Sequence, residues 1–97
     1  MLPWTFVTNH AAVLSLISRH PMVTAHALGL EVGISERAVR RIIAELYEAG
    51  YISKAKEGRR MRYQVKRHLR LRHKTQRDKS VGDLLKVLSP GPSKDKK

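Results

Sequence analysis

Apolar residues recur at helical spacing through the first half of the chain and alternate with polar ones after Gly50. In "HAAVLSLIS", Val13, Leu16 and Ile17 share one face, the pattern of an amphipathic helix. Thr8 or Asn9 can cap it, and it ends near His20, because a following proline drives its predecessor out of the helical region. A second short helix, "AHALGLEV", starts at Thr24 as N-cap and stops at Gly33, since helices commonly end on a left-handed glycine. A third, "ERAVRRIIAELYEA", is capped by Ser35 and terminated by Gly50. Next, "YISKAK" reads as a strand, "EGRR" as a turn and "MRYQV" as a returning strand. Met61, Tyr63 and Val65 there alternate with Arg60, Arg62, Gln64 and Lys66, so one face is apolar and the other basic. Residues 67–79 have no clear apolar face and read as a basic linker or helix extension. Ser80, with Asp83 three residues on, opens "SVGDLLKVL" as a capping box would. Val81, Leu84, Leu85 and Leu88 form its stripe, and residues 90–97 read as a disordered tail. The predicted class is mainly α with a small β-hairpin: one domain over 1–66, then the linker, then a C-terminal amphipathic helix over 80–89.

The stretch "EVGISERAVRRI" narrows this architecture. Two helices joined by "GIS" make a helix-turn-helix when they cross steeply over a shared core. Close crossing calls for a small residue, supplied by Gly29, and the reversal calls for Gly33. Leu28, Val32, Ile34, Val39 and Ile42 occupy the positions that point into the angle. At about 100° per residue, Val39, Ile42, Ile43 and Leu46 fall on one side of the third helix. Arg37, Arg41, Ala44 and Glu48 fall opposite, with Arg40 on the flank. The exposed N-terminal half of such a helix is the part that enters the major groove of DNA. There an arginine bonds bidentately to guanine, worth about 1–3 kcal/mol of discrimination. The bland alternative is a solvated face with Glu36–Arg40 and Arg41–Glu45 paired at (i, i+4). Such pairs contribute only ~0.2–0.5 kcal/mol, so DNA phosphates can displace them.

Charge changes the picture further along. The 97 residues carry a net charge of +12, but residues 1–50 balance to zero and the excess falls almost wholly on 51–79. Charge concentrated in this way attracts a polyanion over long range; otherwise such a block serves as a solubilising segment. No cysteine is present, which excludes disulfides and thiolate metal sites. No apolar run approaches the ~20 residues needed to span a bilayer, and "MLPWTFVTNH" lacks the basic start of a secretory signal. A cytoplasmic, nucleoid-associated protein without membrane contact is expected.

Residues 9–66 resemble the winged helix-turn-helix domain of bacterial and archaeal transcription regulators of the broad MarR/ArsR-like kind. The segment that carries the resemblance is "ALGLEVGISERAVRRIIAELYEAGYISKAKEGRRMRYQV", Ala27 to Val65. It is similar in particular to small single-domain regulators with a "WTFVTNHAAVL"-like start and an "SVGDLL"-like final helix. The resemblance implies that helix 35–49 reads the major groove through Ser35, Arg37, Arg40 and Arg41. It implies that the hairpin 51–66, the wing, contacts backbone or minor groove through Lys54, Lys56, Arg59, Arg60 and Arg62. Thr24 and His26, at the start of the second helix, then face phosphates. Relatives more often have alanine at the position of Gly29, and a polar residue at that of Leu30. For the tip arginines, insertion into a narrow A·T-rich minor groove and plain phosphate contact remain equal alternatives.

The remaining chemistry is sparse. The five histidines show no (i, i+4) pair and no cysteine accompanies them, so neither metal nor cofactor is expected. No triad, paired carboxylates or glycine-rich phosphate loop suggests catalysis. Trp4 and Phe6 read as core residues, Tyr47 and Tyr51 as domain edge. The stripe Val81, Leu84, Leu85 and Leu88 is either folded back on its own domain or, as the favoured reading, shared in a homodimer on palindromic DNA. The expectation is a sequence-specific regulator of double-stranded DNA. A nonspecific or architectural nucleic-acid binder and a protein-interaction module are its rivals.

Overall fold

The computed structural model describes residues 5–89. The expectations for Trp4 and for a tail over 90–97 lie outside them. The chain divides into two compact units between Lys66 and Arg67. The first holds α1 (Asn9–Arg19), α2 (Ala25–Val32) and α3 (Glu36–Glu48), then the antiparallel hairpin of β1 (Ile52–Glu57) and β2 (Arg60–Val65). The second holds a short 3-10 turn (Lys74–Gln76) and α4 (Val81–Leu88). No helix among the described residues is long and apolar enough to cross a membrane.

Each helix of the first unit begins where a hydroxyl can replace a missing backbone partner. Thr8, Thr24 and Ser35 accept from the amides of Ala11, Ala27 and Ala38 at 3.2, 3.1 and 3.0 Å. Each such cap is worth ~1 kcal/mol over alanine. Gly33, at φ 87°, closes α2, and Gly50, at φ 86°, turns the chain after α3. α1 packs against α2, α3 and β2, α2 against α3, and α3 against β1. Val13, Leu14, Ile17, Leu28, Val39, Ile42, Ile43, Leu46 and Ile52 are buried. Leu14 takes the place expected of Leu16, which is half-buried. α1 is covered from several sides, so its buried arc is wider than the stripe through Val13 and Ile17. Phe6, expected in a core, is exposed, while its neighbour Val7 turns partly inward.

Gly29 proves to be required where the sequence only shows that it is permitted. A Cβ there would lie 2.7 Å from the carbonyl oxygen of Ile34 and 3.5 Å from the amide of Glu36. The same turn is closed by Gly33 and Ile34, whose amides both donate to the Gly29 carbonyl at 2.8 and 3.1 Å. Gly29→Ala gains ~1 kcal/mol in helix propensity but overpacks a backbone contact, at ~1–3 kcal/mol. A net loss of about 1 kcal/mol is expected, read as a melting temperature lower by roughly 4–8 °C.

The hairpin corrects the expected turn. Its strands run on until Glu57 pairs with Arg60, leaving Gly58 and Arg59 as a two-residue loop. Gly58 makes this possible by taking φ 64°, the left-handed backbone that tight hairpins need. On its outer edge β2 is held by the amide of Tyr63, which donates to the Pro21 carbonyl at 2.9 Å.

In the second unit, the segment expected as a linker is held by backbone hydrogen bonds. The amide of Leu71 donates to Lys79 at 3.0 Å, that of Val81 to Leu69 at 2.8 Å, and that of Gly82 to Arg67 at 2.9 Å. Arg70 bridges to Ser80 in antiparallel fashion. Leu69 and Leu71 are half-buried while Arg70 and Arg72 are exposed, so the segment alternates in the manner of a strand. α4 starts with the expected capping box: Ser80 and Asp83 exchange side-chain-to-backbone hydrogen bonds at 3.0 and 3.1 Å. These bonds, led by that from the Ser80 amide, hold the Asp83 carboxyl below the usual carboxylate range. The apolar stripe of α4 is split. Val81 and Leu85 are each 1 % exposed within one chain, Leu84 and Leu88 are half-buried, and Val87 is 80 % exposed. Burial of Val81 and Leu85 therefore needs no second copy.

Candidate nucleic-acid interface

α3 owes its two faces to sequence spacing. Val39, Ile42, Ile43 and Leu46 are buried, whereas Arg37, Arg40, Arg41 and Ala44 are exposed. The three arginines are not equivalent. Arg40 donates to the Glu36 carboxylate at 2.5 Å, one helical turn away. That hydrogen bond, aided by the charges of Arg40 and of His26, holds Glu36 below the usual carboxylate range. Glu36 is thus ionised at neutral pH and competes with any phosphate for Arg40. Arg41 does not pair with Glu45. The Glu45 carboxylate is taken instead by His10 of α1, at 2.6 Å. Among the described residues Arg37 and Arg41 make no hydrogen bond or ion pair. Two guanidinium groups, one turn apart on the outer face, are left with their donors available.

Thr24 and Ser35 are exposed, and each uses an oxygen lone pair to cap its own helix, so the hydroxyl hydrogen remains free to donate. His26 is exposed and lies 3.8 Å from Glu36. It faces a carboxylate of α3, where the sequence suggests a phosphate. Neither His26–Glu36 nor His10–Glu45 is readable from sequence, because each joins different helices.

The wing side chains divide in a similar way. Register places Ser53, Ala55, Glu57, Arg60, Arg62 and Gln64 on one face, and Lys54, Lys56, Met61 and Tyr63 on the other. Arg60 donates to the Met22 carbonyl at 2.7 Å. Arg62 spans both oxygens of Glu57 at 3.2 Å and reaches the Met22 sulfur at 3.7 Å. Lys54 sits over the Tyr47 ring, 4.5 Å from its centre. Burial pushes the Tyr63 phenol up from its ordinary pKa, partly opposed by the charge of Arg40. Of the five cations expected to contact DNA from the wing, only Lys56 and Arg59 make no such contact among the described residues. Arg59 is at the loop itself, fully clear of the sheet register. Arg59→Ala should therefore lower the salt slope of DNA binding by about 0.9 without changing stability. Arg60→Ala should lower the melting temperature as well, since it releases the tie to Met22; salt-dependent fluorescence anisotropy and thermal melting separate the two.

Among the described residues no group of three or more His, Asp or Glu side chains is placed to hold a metal ion. The arrangement offers cationic donors in two places, a helix face and a hairpin tip, and both suit a phosphate-bearing polymer. Residues 8–53 match the family described as winged helix-turn-helix DNA-binding. Among solved structures the chain is similar to the Mycobacterium tuberculosis MarR family protein Rv2887, in complex with salicylic acid. Identity there is 19 % and the TM-score 0.52, over 61 % of this chain and 47 % of that one. It is also similar to T. potens IscR, at 22 % identity and a TM-score of 0.50, over 98 % of this chain and 68 % of that one. The chain thus spans about half the length of the MarR family protein, at 47 % of it. No curated protein sequence matches. At these identities the likeness is one of fold, and it agrees with the helix order and hairpin described above. Over residues 8–53 the chain is similar to the winged helix-turn-helix DNA-binding family, and its three helices and hairpin form a winged helix-turn-helix fold.

Proposed function

We propose that the protein is a sequence-specific regulator of transcription, bound noncovalently to double-stranded DNA. In this reading α3 enters the major groove and presents Arg37 and Arg41 to base edges. Thr24, Ser35 and Lys56 hold phosphates, and Arg59 leads the wing onto the neighbouring backbone or minor groove. The observation that carries it is the pair of guanidinium groups on the outer face of α3 that have no partner among the described residues, beside the engaged Arg40. Glu45 does not compete for Arg41, because its carboxylate is drawn to His10 instead. His26, Arg40, Lys54, Arg60 and Arg62 hold intramolecular partners in the free chain and exchange them for phosphates on binding. Each exchange forfeits only a surface contact of ~0.2–1 kcal/mol.

Selection from a pool of randomised duplexes, carried out at two salt concentrations, tests the reading. An enriched motif that keeps its advantage at the higher salt is the expected result. Salt-sensitive binding with no enriched motif would instead establish an architectural binder. A two-fold arrangement on palindromic DNA belongs to the same reading and would rest on Leu84, Val87 and Leu88, since Val81 and Leu85 are buried in one chain. Sedimentation of the full chain at tens of micromolar, alone and with the selected duplex, decides between one copy and two.

A further inference from the structure

The second unit carries a charge that the winged domain does not account for. Residues 67–79 hold six Lys/Arg against one Asp. Arg70 is committed to the loop itself, donating to the Asp78 carbonyl at 2.9 Å, and Lys79 lies 3.8 Å from the Asp78 carboxylate. Arg67, Arg72, Lys74 and Arg77 are exposed, and among the described residues none of the four side chains has a carboxylate or other hydrogen-bonding partner.

The segment is also closed on itself. Leu71 and Lys79 are joined at its neck, and His73 caps the 3-10 turn through Thr75. Gln76 donates to the His73 carbonyl at 2.8 Å and Lys79 to Gln76 at 3.0 Å. Three of these like charges, Arg72, Lys74 and Arg77, are held within so short a loop and repel one another, with only Asp78 to offset them. A ligand that neutralises them would relieve that repulsion. The start of α4 is not that ligand's site: its first amides are taken by the carbonyls of Leu69 and Arg67 and by the Ser80 hydroxyl. Recognition must come from the four side chains alone, at spaced positions, which suits a ladder of phosphates better than a single small anion.

We infer that Arg67, Arg72, Lys74 and Arg77 form a second binding surface, for the phosphate backbone of duplex DNA. The inference rests on the proposed function, because the duplex held by the winged domain is what brings backbone phosphates within reach of the same chain at high effective concentration. The surface adds affinity without reading sequence. It pays little ordering entropy on binding, since the loop's own hydrogen bonds already fix its backbone.

The test uses the full-length chain, a mixed-sequence DNA duplex and a single-stranded RNA of equal length. Wild type is compared with the variant carrying Arg67→Gln, Arg72→Gln, Lys74→Gln and Arg77→Gln. The salt slope of duplex binding should fall by about 3–4, at ~0.9 per phosphate contact. Affinity should fall on the order of 10- to 100-fold between about 50 and 200 mM salt, with the motif preference of wild type retained. If circular dichroism shows that the fourfold variant is unfolded, the Arg72→Gln and Lys74→Gln pair is used, with an expected slope change of about 2. An unchanged duplex slope overturns the inference, as does a loss confined to the RNA. If wild type itself binds no duplex, the proposed function fails too; if wild type binds and the variant matches it, only the second surface is lost.

Discussion

The double variant Arg37→Ala and Arg41→Ala should bind a selected duplex no better than a random one. Each arginine that bonds bidentately to guanine contributes about 1–3 kcal/mol of discrimination. Losing both removes about 2–6 kcal/mol, or roughly 30-fold to about 2 × 10⁴-fold in specific over nonspecific affinity. Stability should hardly change, because both side chains are exposed and without partners among the described residues, where substitutions usually stay within about 0.5 kcal/mol. The Arg40→Ala variant supplies the contrast. It frees Glu36 from a guanidinium that it already occupies, so part of what is lost to DNA was never available, and its effect should be smaller than that of either neighbour. Competition binding against random duplex, with melting curves alongside, reads all three. A double variant that keeps its motif preference removes α3 as the reading element.

Leu28→Ala should cost about 2–5 kcal/mol, against a total of ~5–15 kcal/mol for a domain. Leu28 is 0 % exposed and precedes Gly29, which lies close against the turn and the start of α3. A cavity there cannot collapse freely, because the neighbouring backbone is already in close contact. The melting temperature should drop by 10 °C or more, at roughly 4–8 °C per kcal/mol. Two residues along the same helix, Leu30 is 74 % exposed, and Leu30→Ala should move the melting temperature little. Equal melting temperatures for the two variants would mean that the crossing is not where the unit is stabilised. The comparison holds residue type and helix constant and changes only burial.

What the sequence made legible was local. Thr8, Thr24, Ser35 and Ser80 announce helix starts because a cap uses residues three apart, and each forms as read. The two faces of α3 follow from spacing alone. The hairpin turn was read two residues too long because "EGRR" is polar throughout, and only the positive φ of Gly58 shows that Glu57 and Arg60 belong to the strands. The short alternation "LRLR" at 69–72 was the missed signal for an ordered loop, submerged in a run of charge. Partner choice is legible only within a helix, where Glu36 and Arg40 pair one turn apart. His10 and Glu45 stand 35 positions apart in sequence, and the tie from Arg60 to Met22 crosses 38. These contacts decide which cations stay available, so the candidate interface was visible as a list of charges but not as a set of free ones.

One feature of α3 reaches beyond this protein's own target. Its inner face fixes the fold through Val39, Ile42, Ile43 and Leu46, while positions 37, 41 and 44 lie exposed on the outer side. Folding therefore places almost no demand on what stands at those three sites. Exchanging them is close to neutral for stability and, on the proposed function, consequential for recognition. A lineage, or a designed library, could move through many DNA preferences by changing three residues and never cross an unfolded intermediate.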